Sequence, residues 1–226
     1  MILMRAVLVK ITFYEALFRA HYTETNPITY PIPLPPSVAG IFGAMLGWQR
    51  DEVEKKTANL MFGAKLLSWK GTSAEISRII QFEEGGRPIL PPPIMRFELL
   101  VEPTFLLAMA GYEEEIEDFS EKLADGFEYL PYGGRNEYFV KDIEVLGCKG
   151  VQVASVVESY SPENWIEKVE LEKEGWIKVL QVMHVIKNAS EWFNFVYKGR
   201  LNLSRQVPVV EGIHLYPLNS FFWCSP

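Results

Sequence analysis

Cysteine is nearly absent from these 226 residues: only Cys148 and Cys224 occur, far apart. Two such positions cannot form a disulfide framework, a zinc site or a paired redox motif. Histidine is equally scarce, at His21, His184 and His214. No phosphate-binding loop of the Walker type and no dinucleotide fingerprint appears, because Gly133-Gly134 is not followed by Lys-Ser/Thr and the other glycines fit neither spacing. The longest apolar run, Val38 to Trp48, is about half of the roughly 20 residues a bilayer-spanning helix needs. The N-terminal Met1-Ile2-Leu3-Met4-Arg5 leads into a strand without a cleavage-site pattern, so a soluble, cytoplasmic protein without membrane contact is expected.

Excess positive charge is missing too, since the formal net charge is −7. That value alone argues against nucleic acid, which calls for a basic surface. The distribution alters the reading. Residues 1–112 hold 11 basic and 10 acidic residues, 113–174 hold 6 and 17, and 175–226 hold 5 and 2. The acidity is confined to the middle, and the flanks remain free to build a basic face.

What is present is a folded composition, 48% hydrophobic and 13% aromatic, so disorder is excluded. Arg5 to Phe13 alternates as a half-buried strand with Val7, Val9, Ile11 and Phe13 inward. A polar and aromatic loop, Arg19 to Asn26, precedes the proline run Pro27 to Pro36, which holds the chain extended. Ser37 then reads as the N-cap of a helix running to about Trp48 and extendable to Lys56. Lys65 to Phe82 and Ile94 to Met109 read as two long strands of a hairpin with an irregular tip around Arg87. Glu113 to Asp125 is an amphipathic helix with Ile116, Phe119 and Leu123 inward. Its carboxylates ring the surface without His or Cys partners, so a solvated face is expected and no metal site or cofactor. Val140 to Leu146 resumes a strand.

The order β, α, β, β, α, β predicts an α+β, ferredoxin-like domain over residues 1–150, of the kind RNA-recognition modules use. Beyond it, strands near 151–157, 176–186, 192–198 and 205–210 predict a smaller β-rich C-terminal extension over 151–226.

The helix after the prolines carries Gly40, Gly43 and Gly47 at i, i+3 and i+7. Each glycine costs about 1 kcal/mol against alanine inside a helix, so the spacing asks for close packing, on the protein's own sheet or on a partner. The stretch Tyr30-Pro31-Ile32-Pro33-Leu34-Pro35-Pro36-Ser37-Val38-Ala39-Gly40-Ile41-Phe42-Gly43-Ala44-Met45-Leu46-Gly47 resembles the N-terminal signature of CRISPR-associated protein family five. Tyr132-Gly133-Gly134-Arg135 is similar to that family's Gly-Arg loop, although Asn136-Glu137-Tyr138-Phe139 stands where many members continue with Cys-Pro.

The resemblance implies a non-catalytic subunit of a type I CRISPR surveillance complex, Cascade. Such a subunit caps the 5′ handle of the CRISPR RNA (crRNA), touches the backbone and large subunits, and meets target DNA through the assembly. The hairpin near Arg87 resembles the thumb with which the family reaches over RNA. Residues expected at RNA are Arg19, His21, Tyr22, Ser37, Arg87, Tyr132, Gly133, Gly134, Arg135 and Asn136. Gly133 and Gly134 would offer backbone N–H groups to phosphate, Arg135 charge and Tyr132 a stacking face. Arg5, Lys65, Lys70, Arg78 and Arg96 are ordinary strand charges, a few of which should line an RNA groove.

A second reading is a metal-independent endoribonuclease, since one subtype of the family cleaves repeat RNA with a neighbouring Lys-His pair. This sequence holds no such doublet, and the general base would fall to His21. His184, within Val182-Met183-His184-Val185, is expected to be a hydrogen-bonded structural residue. His214 suggests no chemistry.

Overall fold

The computed structural model describes residues 4–23, 26–49, 51–80, 82–83, 85–88, 90–184 and 189–220. Its elements in chain order are β1 (Met4–Phe13), β2 (Glu15–Ala16), α1 (Pro35–Met45), α2 (Val53–Lys56), β3 (Met61–Ser68), β4 (Gly71–Arg78), β5 (Ile94–Val101), β6 (Thr104–Tyr112), α3 (Glu113–Asp125) and β7 (Val140–Gly150). There follow β8 (Gln152–Val157), β9 (Tyr160–Pro162), β10 (Ile166–His184), β11 (Ala189–Val210), β12 (Ile213–His214) and β13 (Tyr216–Pro217). Among these residues no helix is long and apolar enough to cross a membrane, and no group of three His, Cys, Asp or Glu is placed to hold a metal ion.

The main sheet runs β13-β3-β6-β1-β7, with every neighbouring pair antiparallel. Alternation along β1 decides its two faces. Val7, Val9, Ile11 and Phe13 join Phe105, Leu107 and Met109 of β6 under α1 (Val38, Ile41, Phe42, Met45) and α3 (Ile116, Leu123), so both helices cover one face. Ala6, Leu8, Leu106, Ala108 and Ala110 on the other face pack beneath Val210, Ile213 and Leu215. The C-terminal strands therefore close the back of this sheet, and β13 extends its edge. They also join the principal core through Tyr160, Leu180, Val182, Phe193, Phe195 and Tyr216, so one hydrophobic core runs across residue 150.

Several boundaries differ from expectation. The N-cap of α1 is Leu34, not Ser37, because Pro35 and Pro36 take the first helical turn, where a missing N–H costs nothing and φ is already helical. The helix ends at Met45 and does not reach Trp48 or Lys56. Gly47 takes φ +70° just past its end, with Gly47 N–H bonded to Ala44 O (3.2 Å) and Trp48 N–H to Gly43 O (2.8 Å). That double bond is the Schellman arrangement, and the Trp48 side chain closes over Gly43. The three glycines thus do not form one packing face: Gly40 faces open space, Gly43 receives Trp48 and Gly47 ends the helix.

The two long strands of the hairpin are each broken. Glu102 has φ +42° and Pro103 lacks an N–H, so the ladder stops between β5 and β6, opposite the Trp69-Lys70 step between β3 and β4. The inner halves stay in the main sheet, while β4 and β5 bend away and join β2 in a second sheet, β2-β5-β4. In the C-terminal part the expected short strands merge into the long pair β10 and β11, bent between Leu171 and Trp176.

Candidate nucleic-acid interface

Residues 15–20 form the spine of the region. On one side Leu17 N–H donates to Gly133 O (2.8 Å). On the other, Tyr30 N–H reaches Phe18 O (2.8 Å), Ala20 N–H reaches Ile28 O (2.9 Å) and Phe18 N–H reaches Thr29 Oγ1 (3.0 Å). The loop after β1 and the Gly-Gly-Arg loop, about 110 residues apart in sequence, are thereby brought to one place.

The Gly-Gly-Arg loop is committed inward. Gly133 N–H donates to Tyr138 O (2.8 Å) and Gly134 N–H to Tyr132 O (2.9 Å), so neither amide is open to phosphate as expected. Gly134 holds φ +95°, and a Cβ there would lie 2.0 Å from Leu17 O, which explains why the loop can lie flat on the spine only without side chains. Arg135 pairs with Glu137 (2.7 Å) and places its guanidinium 5.0 Å from the centre of the Phe97 ring on β5. Tyr138 donates to Glu75 on β4 (3.0 Å), and burial together with that carboxylate pushes its hydroxyl up to about 12. Arg135 and Tyr138 thus clamp the loop to the inner face of the β4–β5 hairpin, where Leu17, Phe97, Leu99 and Tyr138 share a small core. Arg135 nevertheless keeps about a third of its side chain accessible. Tyr132 and Asn136 remain exposed.

In the first loop, Arg19 donates through Nε and Nη2 to Thr23 O (3.1 and 2.8 Å). Tyr30 Oη donates its single proton to Gln181 O on β10 (2.6 Å), so the 3.0 Å contact with His21 Nδ1 makes that nitrogen the donor and puts the ring in the Nδ1–H tautomer. Nε2 is then the bare nitrogen; it is buried without a hydrogen-bond partner among the described residues, and burial lowers the His21 pKa. Tyr22 stands edge-on to His21 and also bonds the Gln181 backbone; desolvation raises its hydroxyl pKa. Ser37 is half-buried in the first turn of α1, and Arg87 is exposed at the hairpin tip, far from either loop in the ladder. The His184 side chain and Cys224 lie outside the described residues.

The back of the main sheet is the face on which RNA-recognition modules stack bases on aromatic residues. On this face β6 ends in the exposed Tyr112, Val210, Ile213 and Leu215 pack over Ala6, Leu8, Leu106, Ala108 and Ala110, and Lys10 and Lys65 are held by Glu144 (3.2 Å) and Glu158 (3.1 Å). His214, next to this face, is buried against Tyr216 with ring centres 3.8 Å apart.

Ion pairing separates the remaining cations. Arg5 is held by Glu113 and Glu117, and Lys70 and Lys141 share Glu102, whose pKa both lysines lower. Arg78, Arg87 and Arg96, all on the β4–β5 hairpin, have no ion-pair partner among the described residues. Arg78 and Arg96 were positions that composition could not distinguish from other strand charges; no sequence signal shows that they face outward, since Ile76 and Ile94 share their phase and would suggest a buried face.

No protein-family model matches this sequence, and no curated protein sequence does. The structure matches a chain from a solved "CRISPR RNA-guided surveillance complex" with TM-score 0.55 and 15% identity, covering 96% of this chain and 93% of that one. Its fold is similar to that of a CRISPR surveillance-complex chain. A CRISPR protein from Archaeoglobus fulgidus matches with TM-score 0.48 and 14% identity, over 94% of this chain and 99% of that one. At 15% identity the first of these likenesses is one of fold. The architecture compared is a mixed, sheet-rich one with antiparallel sheets and two principal helices.

Proposed function

We propose that the chain is an RNA-holding, non-catalytic subunit of a type I CRISPR surveillance complex, which caps the 5′ handle of crRNA and contacts the backbone and large subunits. The observation that carries this reading is the near-complete mutual coverage with the surveillance-complex chain, 96% and 93%. The strand order β7-β1-β6-β3, with α1 joining β1 to β3 and α3 joining β6 to β7, supports a ferredoxin-like βαββαβ unit with the β4–β5 hairpin inserted as its thumb. The exposed, unpaired arginines of that hairpin supply charge suited to phosphate. Holding is favoured over cleavage because His21 Nε2, the basic nitrogen of the best candidate base, is enclosed, whereas a general base must reach the 2′-OH it deprotonates.

The test is reconstitution. The tagged chain, co-expressed with backbone and large subunits and a repeat–spacer RNA, should carry through purification a single RNA whose 5′ handle resists added ribonuclease. Protein subunits recovered with the tag but without RNA, or with the handle freely digested, would contradict the proposal.

A further inference from the structure

The outer face of the β4–β5 hairpin joins two features that nothing above explains. Along β4 the residues facing outward are Thr72, Ala74, Ile76 and Arg78, paired across the ladder with Leu100, Glu98, Arg96 and Ile94. Glu98 is taken by Lys178 of β10 (2.9 Å), and Glu75 faces the opposite side with Tyr138. Arg78 and Arg96 are left as diagonal neighbours on one face, both exposed, with no carboxylate partner among the described residues. Like charges side by side on a sheet repel. An anion laid between them would turn that repulsion into two charge-assisted contacts, and the planar guanidinium suits phosphate.

At the root of the same face, four residues along the ladder or about 13 Å from Arg96, lies a cleft of about 310 Å³. It is lined by Pro31, Trp69, Thr72, Leu100, Trp176 and Lys178. Trp69 and Trp176 meet edge to face with ring centres 5.6 Å apart, so the cleft has flat aromatic walls and an apolar floor. Between cleft and arginines the surface is Ala74, the exposed Ile76, 71% accessible, and Glu98, whose carboxylate is neutralised by Lys178. An aromatic slot followed by a spaced pair of unpaired cations is the combination that binds single-stranded nucleic acid, bases on rings and phosphates on guanidinium groups.

We infer that this face is a single-strand track: one unstacked nucleobase enters the Trp69–Trp176 cleft, and the adjoining phosphates rest on Arg78 and Arg96. The inference builds on the RNA-holding reading and assigns the contact to residues outside the Gly-Gly-Arg loop. The cleft also abuts the segment after the first loop, since Pro31, which lines it, directly follows Tyr30.

The test uses fluorescence anisotropy with labelled single-stranded repeat RNA and the full chain, in the reconstituted complex if the chain requires it. Arg78→Gln with Arg96→Gln should lower the slope of log K against log salt by about 1.4, two phosphate contacts at roughly 0.7 each. Lys10→Gln with Lys149→Gln, two paired lysines elsewhere, should leave the slope unchanged. Removing a single base from the RNA at the position seated in the cleft should cost about tenfold in affinity, and Trp69→Ala should make that loss disappear. Trp69→Ala is accepted only if its thermal midpoint shows it folded; the arginine pair, being exposed, tests the track without that condition.

Wild-type affinity and slope in the arginine variant would overturn the track while leaving RNA holding intact. RNA bound normally by the variant but a partner subunit lost from the complex would assign the face to protein and overturn it equally. Failure of the wild-type chain to hold any RNA would overturn both readings.

Discussion

Replacing Gly134 by alanine is expected to destabilise the protein by about 3 kcal/mol, a loss readable as a lower denaturant midpoint with unchanged slope. Part of the cost is conformational: φ +95° is a backbone state that L-residues occupy at a penalty of about 1–2 kcal/mol. The rest comes from the 2.0 Å approach of the new Cβ to Leu17 O, which forces the loop off the 15–20 spine and breaks the Gly133–Leu17 hydrogen bond. The experiment also discriminates between two roles for the loop. A phosphate cradle would lose RNA affinity with stability preserved; a packed clamp loses stability first. Near-wild-type stability would mean that the loop does not lie on the spine as described.

Acidification is the second large effect. Burial against Tyr216 and Trp165 lowers the His214 pKa from 6.5 to about 3, only partly opposed by its bond to the Tyr160 carbonyl. Between those values the unfolded chain binds a proton that the folded chain refuses. Stability is therefore fully present above pH 6.5 and falls as pH drops toward 3, by about 1.4 kcal/mol per unit in the steep part of the range. From pH 6.5 to 4.5 the loss from this residue should reach roughly 2 kcal/mol. The groups facing the imidazole are Ser161, Tyr160, Trp165 and Tyr216, none of them charged near neutrality, so no carboxylate offsets the effect. His21, also lowered by burial, adds a contribution of the same sign. His214→Gln should flatten most of the dependence of the urea midpoint over this window; a parallel curve would show that His214 is not the titrating group.

Local pattern carried much of the fold. β1 follows directly from alternation through Phe13, and α3 spans Glu113–Asp125 as its amphipathic period requires. α1 and β7 also begin close to where they were expected, whereas β2 and α2 went unread and each long strand of the hairpin became two. What periodicity could not supply was the partner of each face. The corner at Glu102-Pro103 hides inside a continuous apolar pattern, because a bend that carries a hairpin from one sheet to another changes no residue's hydrophobicity. The C-terminal strands alternate so as to predict an extension, yet nothing local says that Val210, Ile213 and Leu215 belong on the back of β1 and β6.

No local pattern announced that the Gly-Gly-Arg loop meets the segment after β1, or that Arg135 pairs with Glu137 and stacks over Phe97. That outcome depends on a ring 38 positions earlier in the chain. Which cations are free likewise depends on long-range pairing, as between Lys65 and Glu158, and only the three-dimensional account leaves Arg78 and Arg96 unpaired.

The central claim, that this chain holds RNA and does not cut it, is tested most directly by incubating it in EDTA with 5′-labelled repeat RNA and measuring retention and strand integrity together. The account predicts RNA retained at low salt, released with rising salt, and intact throughout. Cleavage at one position, abolished by His21→Ala, would contradict it.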